Sequence, residues 1–283
     1  MNQMQAYQRL FQLTEQFIPI MKGELDLTCA PDIQSETKLD PQQQDFQQQD
    51  PQKNQPKIIA GQAETDAHFQ ALYQFWEATH PEAGHPYWLT RSWLMSIWQP
   101  VYLAVFSVYL LKAVPNLKNM SQHYAEGVVA GYHLAPEELT EGDDSQLIQN
   151  ACAHLIALVN HFQHHFNAFT RLRPGMTRPL LADSVLEALA ALANHFPDAA
   201  PGDLKTHARM WLAELALASR HLDSLSQVAP KQNDSSPCWQ VARISCCMHY
   251  RRHDGKLCAN CPRAQAKNQR AESRTGTCER RQS

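Results

Sequence analysis

The chain has 283 residues, enough for one large domain or two small ones. With 43% hydrophobic and 19% charged residues and a formal net charge of −3, most of it can bury a core, which excludes a chain disordered throughout. The charge is uneven: from Cys238 to Ser283 ten Lys/Arg stand against three Asp/Glu, while the other 237 residues carry 15 against 25, so an acidic body ends in a basic tail suited to an anionic partner or simply to water.

The first 23 residues lack a basic start followed by an apolar run, so no secretory signal is expected. Met4, Leu10, Phe11, Phe17 and Ile18 recur at helical steps and predict a helix over 3–21, within an N-terminal segment 1–29. Glutamine runs at 42–44 and 47–49 lie among Pro41, Pro51 and Pro56. Residues 30–62 hold too few apolar groups to fold alone and are expected to be a flexible insertion.

A helical domain is expected over 63–230. Phe69, Leu72, Phe75 and Trp76 form a stripe that ends at His80-Pro81. Trp88 to Leu111 is apolar and aromatic, and its segment from Leu94 is just long enough for a membrane span. Gln99, Pro100, Ser96 and Ser107, and the lack of a flanking basic cluster, favour a buried helix that Pro100 kinks or restarts. Residues 117–130 read as a weak or irregular helix. The steady apolar steps from Leu147 through Leu158 to Phe169 predict a long helix over 145–172, stopped by Pro174-Gly175. Helices follow over 178–195 and 204–226, the last with Asp203 as N-cap. Strand signals are sparse. The expected fold is mainly α, a helical bundle-like domain with a short, irregular, Cys-rich C-terminal unit.

Five of the eight cysteines fall between Cys238 and Cys261. Without a secretory signal the expected compartment is the reducing cytoplasm, where clustered thiols bind metal more often than they pair as disulfides. The key segment, within 238–265, reads Cys246-Cys247-Met-His-Tyr-Arg-Arg-His-Asp-Gly-Lys-Leu-Cys258-Ala-Asn-Cys261-Pro262. Thiolates are soft ligands for zinc and for iron–sulfur clusters. A Cys-x2-Cys turn brings two sulfurs together, whereas the adjacent pair needs a special backbone to reach the same centre. A two-iron cluster eases that demand by spreading four outer positions over two metals, and structural zinc sites seldom use adjacent cysteines. Gly255 lets the loop reverse. On chemistry alone both metals remain open. Cys238 and Cys278 lie outside the motif and are not expected to be ligands.

This segment resembles the C-terminal signature of the FhuF-like ferric siderophore reductases. Arg91-Ser-Trp-Leu-Met-Ser-Ile-Trp98-Gln-Pro100 loosely resembles the family's helical region. The resemblance implies that Cys246, Cys247, Cys258 and Cys261 ligate a [2Fe–2S] cluster. It also implies one-electron reduction of Fe(III) held by a siderophore, of the hydroxamate type. Arg251, Arg252 and Lys256, between the ligand pairs, are candidates to attract an anionic chelate or an acidic donor. Met248 and Tyr250 would shield the centre or fill a local core.

No Gly-rich phosphate loop, Walker motif or Gly-x-Ser-x-Gly occurs, so no flavin or nicotinamide fold is expected and electrons must come from a ferredoxin or flavin reductase. Peripheral contact with the inner membrane is compatible with this role. Alternatives from other classes are a zinc-stabilised binding module with a basic tail (266–283) and a [2Fe–2S] carrier or redox sensor without a chelate substrate. Beyond Tyr250 the tail has no aromatic residue for base stacking, and nucleic acid is not an expected partner. His154, His161 and His165 share a helical face, but without a Glu-x-x-His pair they read as half-buried histidines rather than a metal site.

Overall fold

A computed structural model describes residues 2–26, 57–59, 65–228 and 237–264. Apart from Lys57–Ile59, the Gln/Pro-rich insertion lies outside the described residues, as do the basic tail and the cysteines Cys29 and Cys278.

Six α-helices among the described residues build the body: α1 (Gln3–Phe17), α2 (Thr65–Thr79), α3 (His85–Phe106), α4 (Asp144–Phe169), α5 (Pro174–His195) and α6 (Leu204–Glu214). The fold is mainly helical with small sheets, as the periodicity implied. Start signals act where the sequence places them. Asn2 and Asp143 each close a capping box with a glutamine three residues on, and Asp203 Oδ1 accepts from Thr206 N at 3.0 Å. Phe69, Trp93, Phe162 and Phe166 meet where α2, α3 and α4 pack together.

α3 continues into a π-helical turn at Ser107–Leu111. His85–Leu111 is long and apolar enough to cross a membrane, but most of it is buried against α2, α4 and α5. The helix runs unbroken through Pro100, which therefore does not restart it. Proline removes the bond that Ser96 O would accept within the helix, and the Gln122 side chain donates to that carbonyl instead, at 3.0 Å.

Residues 117–130, read as a weak helix, are not helical. They hold β4 (Ser121–Ala125) and the start of β5 (Val128–Leu134), joined by Glu126 and Gly127 at φ 47° and 77°. Two successive positive φ values suit a tight hairpin turn. Ser121, Gln122 and His123 are the buried residues of β4, so no apolar alternation marked the strand. The sheet runs β1-β5-β4-β2, with β1 (Gly23–Leu25) parallel to β5 and β2 (Lys57–Ile59) antiparallel to β4. Two residues each of β3 (Ala113–Val114) and β6 (Thr140–Glu141) form a second small pairing.

The helix predicted over 204–226 stops at Glu214. Ala216 takes a left-handed φ of 50°, Leu217 N bonds to Leu212 O at 2.8 Å and Ala216 N to Ala213 O at 2.9 Å. That is a Schellman stop with alanine where glycine is usual. The chain then forms a 3-10 turn and β7 (Leu225–Val228), which pairs antiparallel with β8 (Cys238–Val241). β8 packs on α5 and delivers the chain to the cysteine segment.

Candidate metal centre

Beyond β8 the chain has little regular structure, so side chains of the helical body must hold it in place. α5 supplies two of them, one helical turn apart. Asp183 is fully buried. It accepts from Ile244 N at 3.3 Å, from Ser245 N at 2.8 Å and from the Ser245 hydroxyl. Arg243 Nε and His221 Nδ1 each stand 3.7 Å from this carboxylate. Its charge is therefore spent on the backbone just before Cys246. Glu187 accepts from Asn260 Nδ2 at 2.9 Å, between Cys258 and Cys261, and lies 3.7 Å from Arg243 Nε. Burial raises the Glu187 carboxyl above the usual range, while Arg243 and Asn260 oppose that rise.

The turn at Pro81–Ala83 holds the far side of the loop. Arg251 Nε donates to Ala83 O at 2.6 Å and His253 N to Glu82 Oε1 at 3.1 Å.

Between these supports the backbone folds sharply. Met248, directly after the cysteine pair, is left-handed at φ 59° and leads into a 3-10 turn at His249–Arg251. At Gly255 a Cβ would lie 2.1 Å from His249 O, so only glycine fits the reversal. Cys261 N bonds to Cys258 O at 3.1 Å, closing the Cys-x2-Cys turn.

The result brings the two halves of the motif together. Cys247 Sγ and Cys258 Sγ are 3.1 Å apart, Cys246 and Cys258 each feel Cys247 and Cys261, Cys261 is buried and the other three are half-buried. Burial raises the Cys258 thiol from 9.0 to about 11, and the hydrogen bond and charge of Cys247 add to the rise. Burial likewise raises Cys246. Thiols this close resist ionising together unless positive metal lies among them, which is the environment of a cluster-binding donor set. Among the described residues no three His, Cys, Asp or Glu side chains close on one point as a single-ion site requires. A two-iron cluster makes a different demand, because its outer ligand positions belong to two metals.

Arg91 of α3 lies within electrostatic reach of the site. Its guanidinium lies 5.0 Å over the Trp76 ring; burial lowers its pKa, while Tyr87 and Cys247 support the charged form. The sequence pointed to Arg91 only through the loose helical resemblance. Asp183 and Glu187 were missed, although two acids spaced i, i+4 in the Leu/Ala run of α5 are the signal that could have found them.

Of the three cationic candidates, Arg251 is engaged by Ala83 and Arg252 pairs with Asp254, with Nε to Oδ1 at 2.8 Å. Lys256 is exposed, and among the described residues no hydrogen bond or ion pair engages it. Met248 packs against the core, and Tyr250 carries the Arg263 guanidinium over its ring at 4.2 Å. Cys238 is exposed on β8. In the histidine stripe, Leu117 N donates to His154 Nδ1 at 3.4 Å, and His161 and His165 face each other with Nε2 atoms 2.8 Å apart.

No solved structure matches the chain. Residues 243–263 match the family model described as the FhuF 2Fe-2S C-terminal domain, a stretch that contains all four clustered cysteines. The cofactor of this unit is a [2Fe–2S] cluster, and the match supports the likeness of this segment to the FhuF-like siderophore reductases.

Proposed function

We propose that the protein is a ferric siderophore reductase in which Cys246, Cys247, Cys258 and Cys261 hold the cluster. The observation that carries this reading is the approach of the motif's two halves, Cys247 Sγ to Cys258 Sγ at 3.1 Å, on two short loops both anchored on α5, within the matched segment that contains all four cysteines. When bound, the cluster supplies electrons one at a time. The substrate is Fe(III) wrapped by hard oxygen donors. Such donors hold Fe(III) far more tightly than Fe(II), so one added electron loosens the chelate and frees the metal. No nucleophile or proton shuttle is needed.

The protein's own residues do the rest. Asp183 and Glu187 fix the two ligand loops, Arg91 extends a positive charge within electrostatic reach of Cys247, and the core behind them keeps water from the buried side. The electron reaches the site from a separate protein such as a ferredoxin or flavin reductase. Lys256 and the outer face of the Arg251–Arg252 loop offer positive charge to an acidic donor. The reading includes a cytoplasmic location, where Fe(II) can be used.

The test begins with protein purified without oxygen. Iron and acid-labile sulfide should be present in equal amounts, with the visible and paramagnetic spectra of a two-iron cluster. After reduction, mixing with a ferric tris-hydroxamate under an Fe(II) trap should give one Fe(II) per cluster. Cys258→Ser should abolish the yield. Stoichiometric zinc without sulfide would leave a structural zinc module, and an intact cluster that yields no Fe(II) would leave a carrier or sensor.

A further inference from the structure

His161 and His165 stand one turn apart on α4, so their side chains share a face of the helix. Their Nε2 atoms are 2.8 Å apart and their ring centres 4.1 Å, with the ring planes inclined at 75°. We propose that this pair is an open binding site for one divalent transition-metal ion that takes ligands at right angles, the class of Fe(II), Ni(II) and Cu(II). The inference goes beyond the reductase reading and does not depend on it.

Two distances carry it. Two imidazoles bound at right angles to one ion, with metal–nitrogen bonds of about 2.0 Å, set their nitrogens about 2.8 Å and their ring centres about 4.5 Å apart. A head-on N–H···N bond of that length would hold the ring centres about 5 Å apart. At 4.1 Å the rings of His161 and His165 lean towards each other, closer to the chelate than to the head-on pair. A proton shared between them lies on a bent path.

The molecule contains its own comparison. His123 and His133 bring their Nε2 atoms to 2.5 Å with ring centres 4.6 Å apart. For so short an approach the head-on spacing is about 4.8 Å, so that buried pair has the shape of a hydrogen bond. In the sequence both pairs are simply histidines near each other. The separation of the rings tells them apart.

The surroundings suit an ion that keeps water in its remaining positions. His165 is buried and His161 half-buried, so the pair has an apolar side and a wet side. The Phe69 ring lies 6.2 Å from that of His165, and the Phe162 ring 6.3 Å from that of His161. No third His, Cys, Asp or Glu joins the pair among the described residues, which makes the site an open one and not a closed structural centre. A tetrahedral ion such as zinc would need the nitrogens about 3.3 Å apart, and the pair would have to spread to accept it.

Ni(II) alone is the probe, added without oxygen to full-length protein with its cluster intact. Calorimetry should show a site for one Ni(II) per chain, and X-ray absorption at nickel should show two imidazoles in a six-fold shell. His161→Gln and, separately, His165→Gln should weaken this binding about tenfold or more, because each breaks the chelate. His164→Gln, in the same run but outside the pair, should leave it unchanged. The cluster's visible spectrum and helical circular dichroism check that each variant is folded, and half-buried His161 is the safer of the two positions. Zn(II) should bind more weakly than Ni(II). Absence of Ni(II) binding, or wild-type affinity in His161→Gln, would overturn the site. Zinc held as tightly as nickel would overturn the preference for right-angled ligands.

Discussion

Arg91 and Cys258 show how single residues set the properties of the centre. The Arg91 charge is felt at Cys247, and a positive charge favours the reduced, more negative state of a cluster. Arg91→Gln should therefore lower the midpoint potential by some tens of millivolts (on the order of 50 mV for a partly screened pair), read by a redox titration of the visible spectrum. Cys258 gives a pH dependence to the apoprotein. Its folded thiol is raised from 9.0 to about 11, so the folded state holds a proton that the unfolded chain releases near 9. The associated stability is present below pH 9 and lost as pH rises towards 11. Thermal midpoints of apoprotein should fall across that window, and Cys258→Ser should flatten the fall. The cysteine segment was legible in sequence because the adjacent pair and the Cys-x2-Cys turn mark it by spacing alone. Arg91, Asp183 and Glu187 were less so, because their roles come from packing between segments far apart in the chain.

Elements were legible where an apolar stripe or a capping side chain marks them. The stripe along α4 and the Asp203 cap of α6 were both readable. β4 escaped because its inward side chains are polar, and the end of α6 escaped because alanine occupies the left-handed position of its stop. Polar β4 is not a defect. Gln122 joins it to α3, accepting from Gln99 Nε2 at 3.0 Å while donating to the carbonyl that Pro100 leaves open. Gln122→Leu would strand that buried carbonyl and should cost about 1–3 kcal/mol in urea unfolding. Replacing Pro100 by alanine in the same background should recover part of the loss, because the helix can then satisfy Ser96 O itself.

At the scale of the whole molecule, the cysteine unit has little core of its own and depends on the helical body. The buried Asp183 joins the two, taking backbone and hydroxyl donors from 244–245 with Arg243 and His221 beside it. Asp183→Ala should cost roughly 3–5 kcal/mol, since Arg243 and the backbone donors would lose their partner, and purified protein should carry less iron. Chemical denaturation and metal analysis check both. The i, i+4 spacing of Asp183 and Glu187 has a further consequence. One stiff rod sets the distance between the two halves of the donor set, so that distance cannot relax freely when an electron arrives or leaves. A frame that yields so little would keep the reorganisation energy of a bound cluster small, which favours quick charge exchange even when the driving force is slight.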